Sequence, residues 1–259
     1  DTALPVLPVK LPAPNVWGAP DTRNAGAVME SIDRAVAFCA QGLAGAVVTN
    51  PIQKSSLQKS GLFPFPGHTE YLAHLRGATT PPVMMLAARD LRVVPLTIHT
   101  ALKDVPAAIT QDLIRETVHT IHNAFDPPPR IAVAGLNPHA GEDGAFGREE
   151  IDIIGPAIQS LRAEGLCVSG PHSADTLFHP EARAGYDVAL CMYHDQALIP
   201  LKTLDFHGGV NITLGLDIIR TSPDHGTALS LAGKGLASHQ SLVQALLLAG
   251  DRAKKRAAA

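Results

Sequence analysis

Cysteine is scarce in this sequence. Cys39, Cys167 and Cys191 are the three in 259 residues, far apart and without a C-x-x-C spacing. That pattern argues against a disulfide framework or a cysteine zinc knot, and it fits a reducing compartment. Aromatic residues are only 4%, too few for a surface that stacks bases. The net charge is -3 with no basic stripe, so no nucleic-acid partner is expected. No apolar run approaches the roughly 20 residues of a membrane helix. The opening DTALPVLPVKLPAP has no charged stretch leading into an apolar core, so it does not read as a signal peptide, and the expected location is the cytoplasm. Neither G-x-G-x-x-G nor G-x-x-x-x-G-K-[ST] occurs, so a dinucleotide would need another kind of site.

The rest is ordinary globular material, with 46% hydrophobic and 17% charged residues. Short apolar runs alternate with longer helical patterns. Residues 24–41 predict a helix with Val28, Ile32, Ala35, Val36 and Cys39 on one face and Asp21 or Thr22 as cap. AVVTN then reads as a buried strand. Pro82–Ala88 and Leu91–Thr97 read as paired strands, and residues 110–125 as a helix capped by Thr110. Strands are predicted at Arg130–Gly135, Leu166–Ser169 and Asp187–Met192, with a helix over Glu149–Glu164. Tyr193-His194-Asp195 reads as a loop, Asn211–Leu214 and Asp217–Arg220 as short extended pieces, and Ser238–Arg252 as the final helix. Alternating strands and helices imply an α/β architecture with much parallel pairing. The proline-rich stretch 126–129 is one candidate crossing point between subdomains.

Polar loops follow the apolar strands, and in open α/β sheets ligands bind beyond the carboxyl ends of strands. Three of those loops carry histidine: TIHT at His99, GLNPHAGEDG at His139 and CMYHDQ at His194. Three neutral imidazoles on one divalent cation would leave coordination positions open, a catalytic arrangement. Spacing alone does not bring them together, and the plainer reading is three polar residues capping strands. His119 and His122 share a helix face and read as solvated or packed.

Three further segments carry possible chemistry. In PFPGHTEYL, a proline-glycine turn delivers His68 and Thr69 to a helix start, suited either to an anion or to a plain cap at Thr69. Lys202, Asn211 and Arg220 lie among glycines, and lysine with arginine supplies charge for a phosphate. TSPDHGTALSLAGKGLA, rich in small residues before a helix, has the composition to hold adenosine and pyrophosphate.

Together, GHTEYLA, NPHAGEDGAFGREEIDIIGPAI, SADTLF, DVALCMYHDQALIPLK, GVNITLGL and IRTSPDHGTALSLAGKG resemble the PdxA family, the 4-hydroxythreonine-4-phosphate dehydrogenases of pyridoxal phosphate biosynthesis. The resemblance covers nearly the whole chain and implies one catalytic unit over 1–259. Its implied fold is that of isocitrate and isopropylmalate dehydrogenases: two α/β subdomains, non-Rossmann, with an active-site cleft between them. It also implies a homodimer whose metal ligands come from both chains. His99, His139 and His194 match the metal ligands, for zinc, magnesium or cobalt. His68, Thr69, Lys202, Asn211 and Arg220 match substrate-binding positions. Asp175 and Asp195 match acidic positions near the metal and, with Lys202, are the catalytic candidates. Asp224, His225, Gly226, Thr227, Ala228 and Gly233 match a cofactor loop for NAD or NADP. Two departures stand out. The family's opening segment, resembling TMGDPAGIGPE, is absent here, as if the chain began about 60 residues later, and complete dinucleotide binding is expected to need it. In GPHSADT, His172 stands where a smaller apolar residue is usual.

The implied reaction is metal-dependent, nicotinamide-linked oxidation and decarboxylation of 4-phosphohydroxy-L-threonine to 3-amino-2-oxopropyl phosphate. Relatives in this superfamily act instead on 4-phosphoerythronate, 4-phosphothreonate or an aromatic dihydrodiol dicarboxylate. A non-catalytic binding protein for phosphorylated metabolites is the alternative from another class.

Overall fold

The computed structural model describes residues 5–258. The chain forms two compact units, crossing between them after Pro81 and again after Gly215. The proline-rich stretch 126–129 lies inside the second unit, so it is not the crossing point.

The first leg of the first unit holds α1 (Ala25–Ala40), β1 (Val47–Val48), α2 (Lys54–Lys59) and α3 (His68–Leu75). The cap expected at Asp21 serves a short turn instead: its carboxylate accepts from Arg23 N, and Asn24 then leads into α1. Ile32 and Val36 of α1 join Val47, Leu57, Phe63, Tyr71 and Leu72 in one apolar cluster, with Val28, Ala35 and Cys39 at its margin. The aromatic rings of Phe63, Phe65 and Tyr71 meet at 4.9–5.5 Å between centroids, which fixes the segment entering α3.

The second unit runs β2 (Val83–Ala88), β3 (Leu91–Thr97), α4 (Val105–Ala108), α5 (Gln111–Asn123), β4 (Ile131–Ala134) and α6 (Gly155–Ala163). It continues with β5 (Val168–His172), α7 (Pro180–Arg183), β6 (Val188–Tyr193), α8 (His194–Leu204) and β7 (Val210–Leu214). Its strands lie in the order β7-β2-β3-β6-β4-β5. The β2–β3 and β2–β7 pairs are antiparallel, while β3–β6, β6–β4 and β4–β5 are parallel. Buried on both faces, β3, β4 and β6 are nearly continuous apolar runs, as central parallel strands require. Helix α5 lies beside them with Ile114, Thr117, Val118 and Ile121 buried, and Thr110 Oγ1 accepts from Leu113 N at 3.1 Å.

The chain then returns to the first unit through β8 (Arg220–Pro223) and α9 (Gln240–Ala258). β8 pairs in parallel with β1, Val47 opposite Arg220. Several boundaries differ from the sequence reading. β5 lies two residues downstream of its expected start, the extended piece expected at Asp217–Arg220 becomes a strand only from Arg220, the helix over Glu149–Glu164 opens with one wide turn at Glu150–Ile154, the final helix runs to Ala258 rather than Arg252, and Tyr193-His194-Asp195 is no loop, because His194 begins α8. Among the described residues, no helix is long and apolar enough to cross a membrane.

Candidate active-site residues

Because β3, β6 and β4 are neighbours and parallel, their carboxyl ends share one edge of the sheet. Thr97 pairs with Tyr193, so the residues just beyond both are brought side by side. These are His99 and His194, whose rings lie 6.2 Å apart between centroids. His194 Nδ1 sits 2.7 Å from Asp195 Oδ1. An ionised carboxylate only accepts, so the proton belongs on Nδ1, and the Nε2 lone pair is left for a ligand. Two imidazoles converging at strand ends, one with its tautomer set by a carboxylate, fit a divalent transition metal or zinc.

His139 reaches the same edge by a different route. Beyond β4 the backbone enters a left-handed turn with positive φ at His139, Ala140, Gly141, Glu142 and Asp143. Each L-residue in that conformation costs about 1–2 kcal/mol, so the turn needs external support. The buried carboxylate of Glu150 provides it. Glu150 Oε1 accepts from Leu136 N at 2.7 Å and Asn137 N at 2.8 Å, and Oε2 accepts from Asn137 Nδ2 at 2.9 Å. Gly141 lies directly over it: a Cβ there would stand 2.7 Å from Glu150 Oε2. The electrostatic neighbour of His139 is Asp175, whose carboxyl is held below its usual range by the Ser173 hydroxyl, 2.5 Å away, with a smaller contribution from His139. The structure therefore brings two of the three predicted histidines together. Among the described residues, no group of three or more His, Cys, Asp or Glu is placed to hold a metal ion.

Gln196, in the first turn of α8, was not singled out in the sequence. Its Oε1 accepts from Met192 N at 2.7 Å and its Nε2 donates to Gly135 O at 2.8 Å, stitching the end of β6 to the end of β4. A glutamine two residues beyond a strand-end histidine carries no signal by itself. Lys202 lies two turns along α8 from His194, and both line a shallow groove of about 410 Å³ with Leu198, Ile199 and Phe206. The Lys202 ammonium stands 5.7 Å from the centroid of the Phe206 ring. Asn211 is half-buried on β7.

The first unit gathers the remaining candidates around a buried cation. Arg220, only 4% exposed at the start of β8, donates from Nη2 to Thr49 Oγ1 at 2.8 Å. Burial lowers its pKa to about 10, and Glu70 opposes that shift. The guanidinium stays charged at neutral pH. His68 begins α3, its pKa lowered to about 4 by burial and by the nearby charges of Arg220 and Lys54. Thr69 lies within the first turn of α3, while Gly67 takes the capping position, so the cap reading of Thr69 fails. A buried arginine, a neutral imidazole, a lysine and a hydroxyl beside a helix start are groups with the chemistry to hold an anion.

The loop from Asp224 follows β8. Asp224 N is anchored to Ser241 Oγ at 3.3 Å and Thr227 Oγ1 donates to Gln53 Oε1 at 3.0 Å. His225 and Gly226 are exposed, with His225 Nδ1 2.9 Å from Gly226 O; Ala228 is left-handed, and Gly233 rests against Trp17. His172 ends β5 with Nε2 2.8 Å from Ser169 Oγ and takes no part in these clusters.

The family described as pyridoxal phosphate biosynthetic protein PdxA matches residues 1–249. A 4-hydroxythreonine-4-phosphate dehydrogenase from Caulobacter vibrioides is 53% identical over 264 residues, covering 98% of this chain and 79% of its own length. The solved 4-hydroxythreonine-4-phosphate dehydrogenase of Klebsiella pneumoniae superposes with a TM-score of 0.85 at 41% identity, over 91% of this chain and 72% of that one. A terephthalate 1,2-cis-dihydrodiol dehydrogenase from Burkholderia xenovorans superposes with a TM-score of 0.69 at 30% identity, over 94% and 79%.

Proposed function

This chain belongs to the PdxA family of pyridoxal phosphate biosynthetic proteins, and on that premise we propose that it oxidises and decarboxylates 4-phosphohydroxy-L-threonine to 3-amino-2-oxopropyl phosphate. It is an oxidoreductase, as its dehydrogenase relatives are. The observation that carries the substrate class is the buried Arg220 with the neutral His68 beside it. A guanidinium in a site that excludes water binds a phosphate dianion through short, charge-assisted bonds. His68 and Thr69 add donors in the first unit, and Lys202 and Asn211 are the substrate-binding candidates of the second. Bound phosphate would return a proton to His68 by offsetting the cationic field around it.

A divalent ion (zinc, magnesium or cobalt) held by His99, His139 and His194 would supply polarisation of the hydroxyl being oxidised, and NAD or NADP on the Asp224–Gly233 loop would supply the hydride acceptor. Asp195 keeps the proton of His194 on Nδ1, which leaves Nε2 as donor. Asp175, whose carboxyl is within electrostatic reach of His139, is the other acidic candidate near the proposed metal. Lys202, in the groove that His194 also lines, is the proposed proton carrier: its amine accepts the hydroxyl proton and its ammonium returns one to carbon after loss of carbon dioxide. We infer that the working form is a homodimer whose metal ligands come from both copies. The apolar groove beside His194, with Ile199 64% and Phe206 70% exposed, supports a covering partner.

The test is nicotinamide reduction by the protein with 4-phosphohydroxy-L-threonine, 4-phosphothreonate, 4-phosphoerythronate and an aromatic dihydrodiol dicarboxylate. The first should give the highest kcat/KM. A preference for the dihydrodiol would assign Arg220 to a carboxylate, and no turnover of any of them would favour a binding protein.

A further inference from the structure

Glu150 has no place in the chemistry above, yet it is a buried carboxylate whose partners surround one proposed ligand. Three N–H groups converge on it, two from the backbone of Leu136 and Asn137 and one from the Asn137 amide. The same amide also donates to Glu149 Oε2 at 2.7 Å, so Asn137 bridges consecutive carboxylates. On the far side of His139, Gly141 closes over Glu150 Oε2 with no room for a Cβ. Glu150 thus bonds the backbone two and three residues before His139 and lies close beneath the residue two after it. The wide turn at Glu150–Ile154 adds a residue to the start of that helix; such turns redirect side chains and recur at functional sites.

We propose that Glu150 is a positioning residue for His139: its carboxylate holds the left-handed turn that presents the imidazole to the metal. The inference rests on the metal reading of the three histidines. Alanine strands Leu136 N and Asn137 N in a buried setting. Glutamine keeps one oxygen for those two N–H groups but turns an NH2 toward Asn137 Nδ2, donor against donor.

The experiment titrates Co2+ into the metal-free forms of wild type, Glu150→Ala, Glu150→Gln, His139→Ala and Thr110→Ala. Affinity and the visible cobalt spectrum are read for each, with amide hydrogen exchange across 136–145. Glu150→Ala should lose about ten- to hundredfold in affinity, approaching His139→Ala, and exchange faster at Leu136 and Asn137. Glu150→Gln should fall between it and wild type. Thr110→Ala, which loosens the start of α5 while leaving the Glu150 carboxylate and its donors intact, should match wild type in affinity and spectrum. A folded Glu150→Ala with wild-type cobalt affinity and spectrum overturns the inference. If that variant does not fold, the same result in Glu150→Gln overturns it. Unchanged affinity in His139→Ala removes the metal reading, and this inference with it; a loss there without one at Glu150 removes this inference alone.

Discussion

Arg220 and His68 make opposite use of burial. Desolvation lowers both pKa values, but the guanidinium begins so high that it stays charged while the imidazole becomes neutral. Arg220→Met keeps bulk and removes the charged bonds. It should cost about 3 kcal/mol in transition-state binding, on the order of a hundredfold in kcat/KM, on a phosphorylated substrate. The loss on the dephosphorylated analogue should be much smaller; equal fractional losses on both would assign Arg220 to structure or cofactor. For His68 the folded pKa lies below the unfolded one, so the unfolded chain takes up the proton first as pH falls. Stability is therefore full above about 6.5 and declines toward pH 4, by about 2 kcal/mol once partial exposure is allowed for. His68→Asn should lose that part of the pH dependence in urea melts at pH 7 and pH 4.5; an unchanged slope would contradict the assignment. Both residues were legible in the sequence as candidates because charged side chains near glycine-rich loops stand out. Their burial was not legible, since Arg220 is enclosed only once β8 pairs with β1.

At the level of elements, legibility followed local signals. The paired runs that became β2 and β3 and the amphipathic stretch that became α5 were read almost to the residue, because apolar periodicity and a threonine cap act within a few residues. Replacing that cap, Thr110→Ala, should cost about 1 kcal/mol in chemical denaturation. Activity should be unchanged, because α5 carries none of the proposed site residues. Helix α8 was missed: Pro200 interrupts its pattern, and His194 looked like a loop residue. The left-handed turn was also invisible. Histidine, alanine, glutamate and aspartate do not announce positive φ, and the support comes from Glu150 on the following helix rather than from their own preferences.

For the whole molecule, the alternation of strand and helix patterns gave the α/β class and motif order gave the family, while the proposed homodimer rests on that resemblance and on surface chemistry. Ile199 and Phe206 leave apolar area beside a proposed metal ligand. Ile199→Asp with Phe206→Asp should shift light scattering from dimer toward monomer and weaken metal binding together; a monomeric variant with full metal affinity would place the ligands within one chain. In the proposed reaction one protein couples hydride transfer to decarboxylation at a histidine-held metal. The most direct measurement follows reduced nicotinamide and carbon dioxide together from 4-phosphohydroxy-L-threonine, before and after the metal is stripped. Equal amounts of both, lost on stripping and restored by a divalent ion, are the expected result. Full turnover by the stripped protein, or reduced nicotinamide without carbon dioxide, would contradict it.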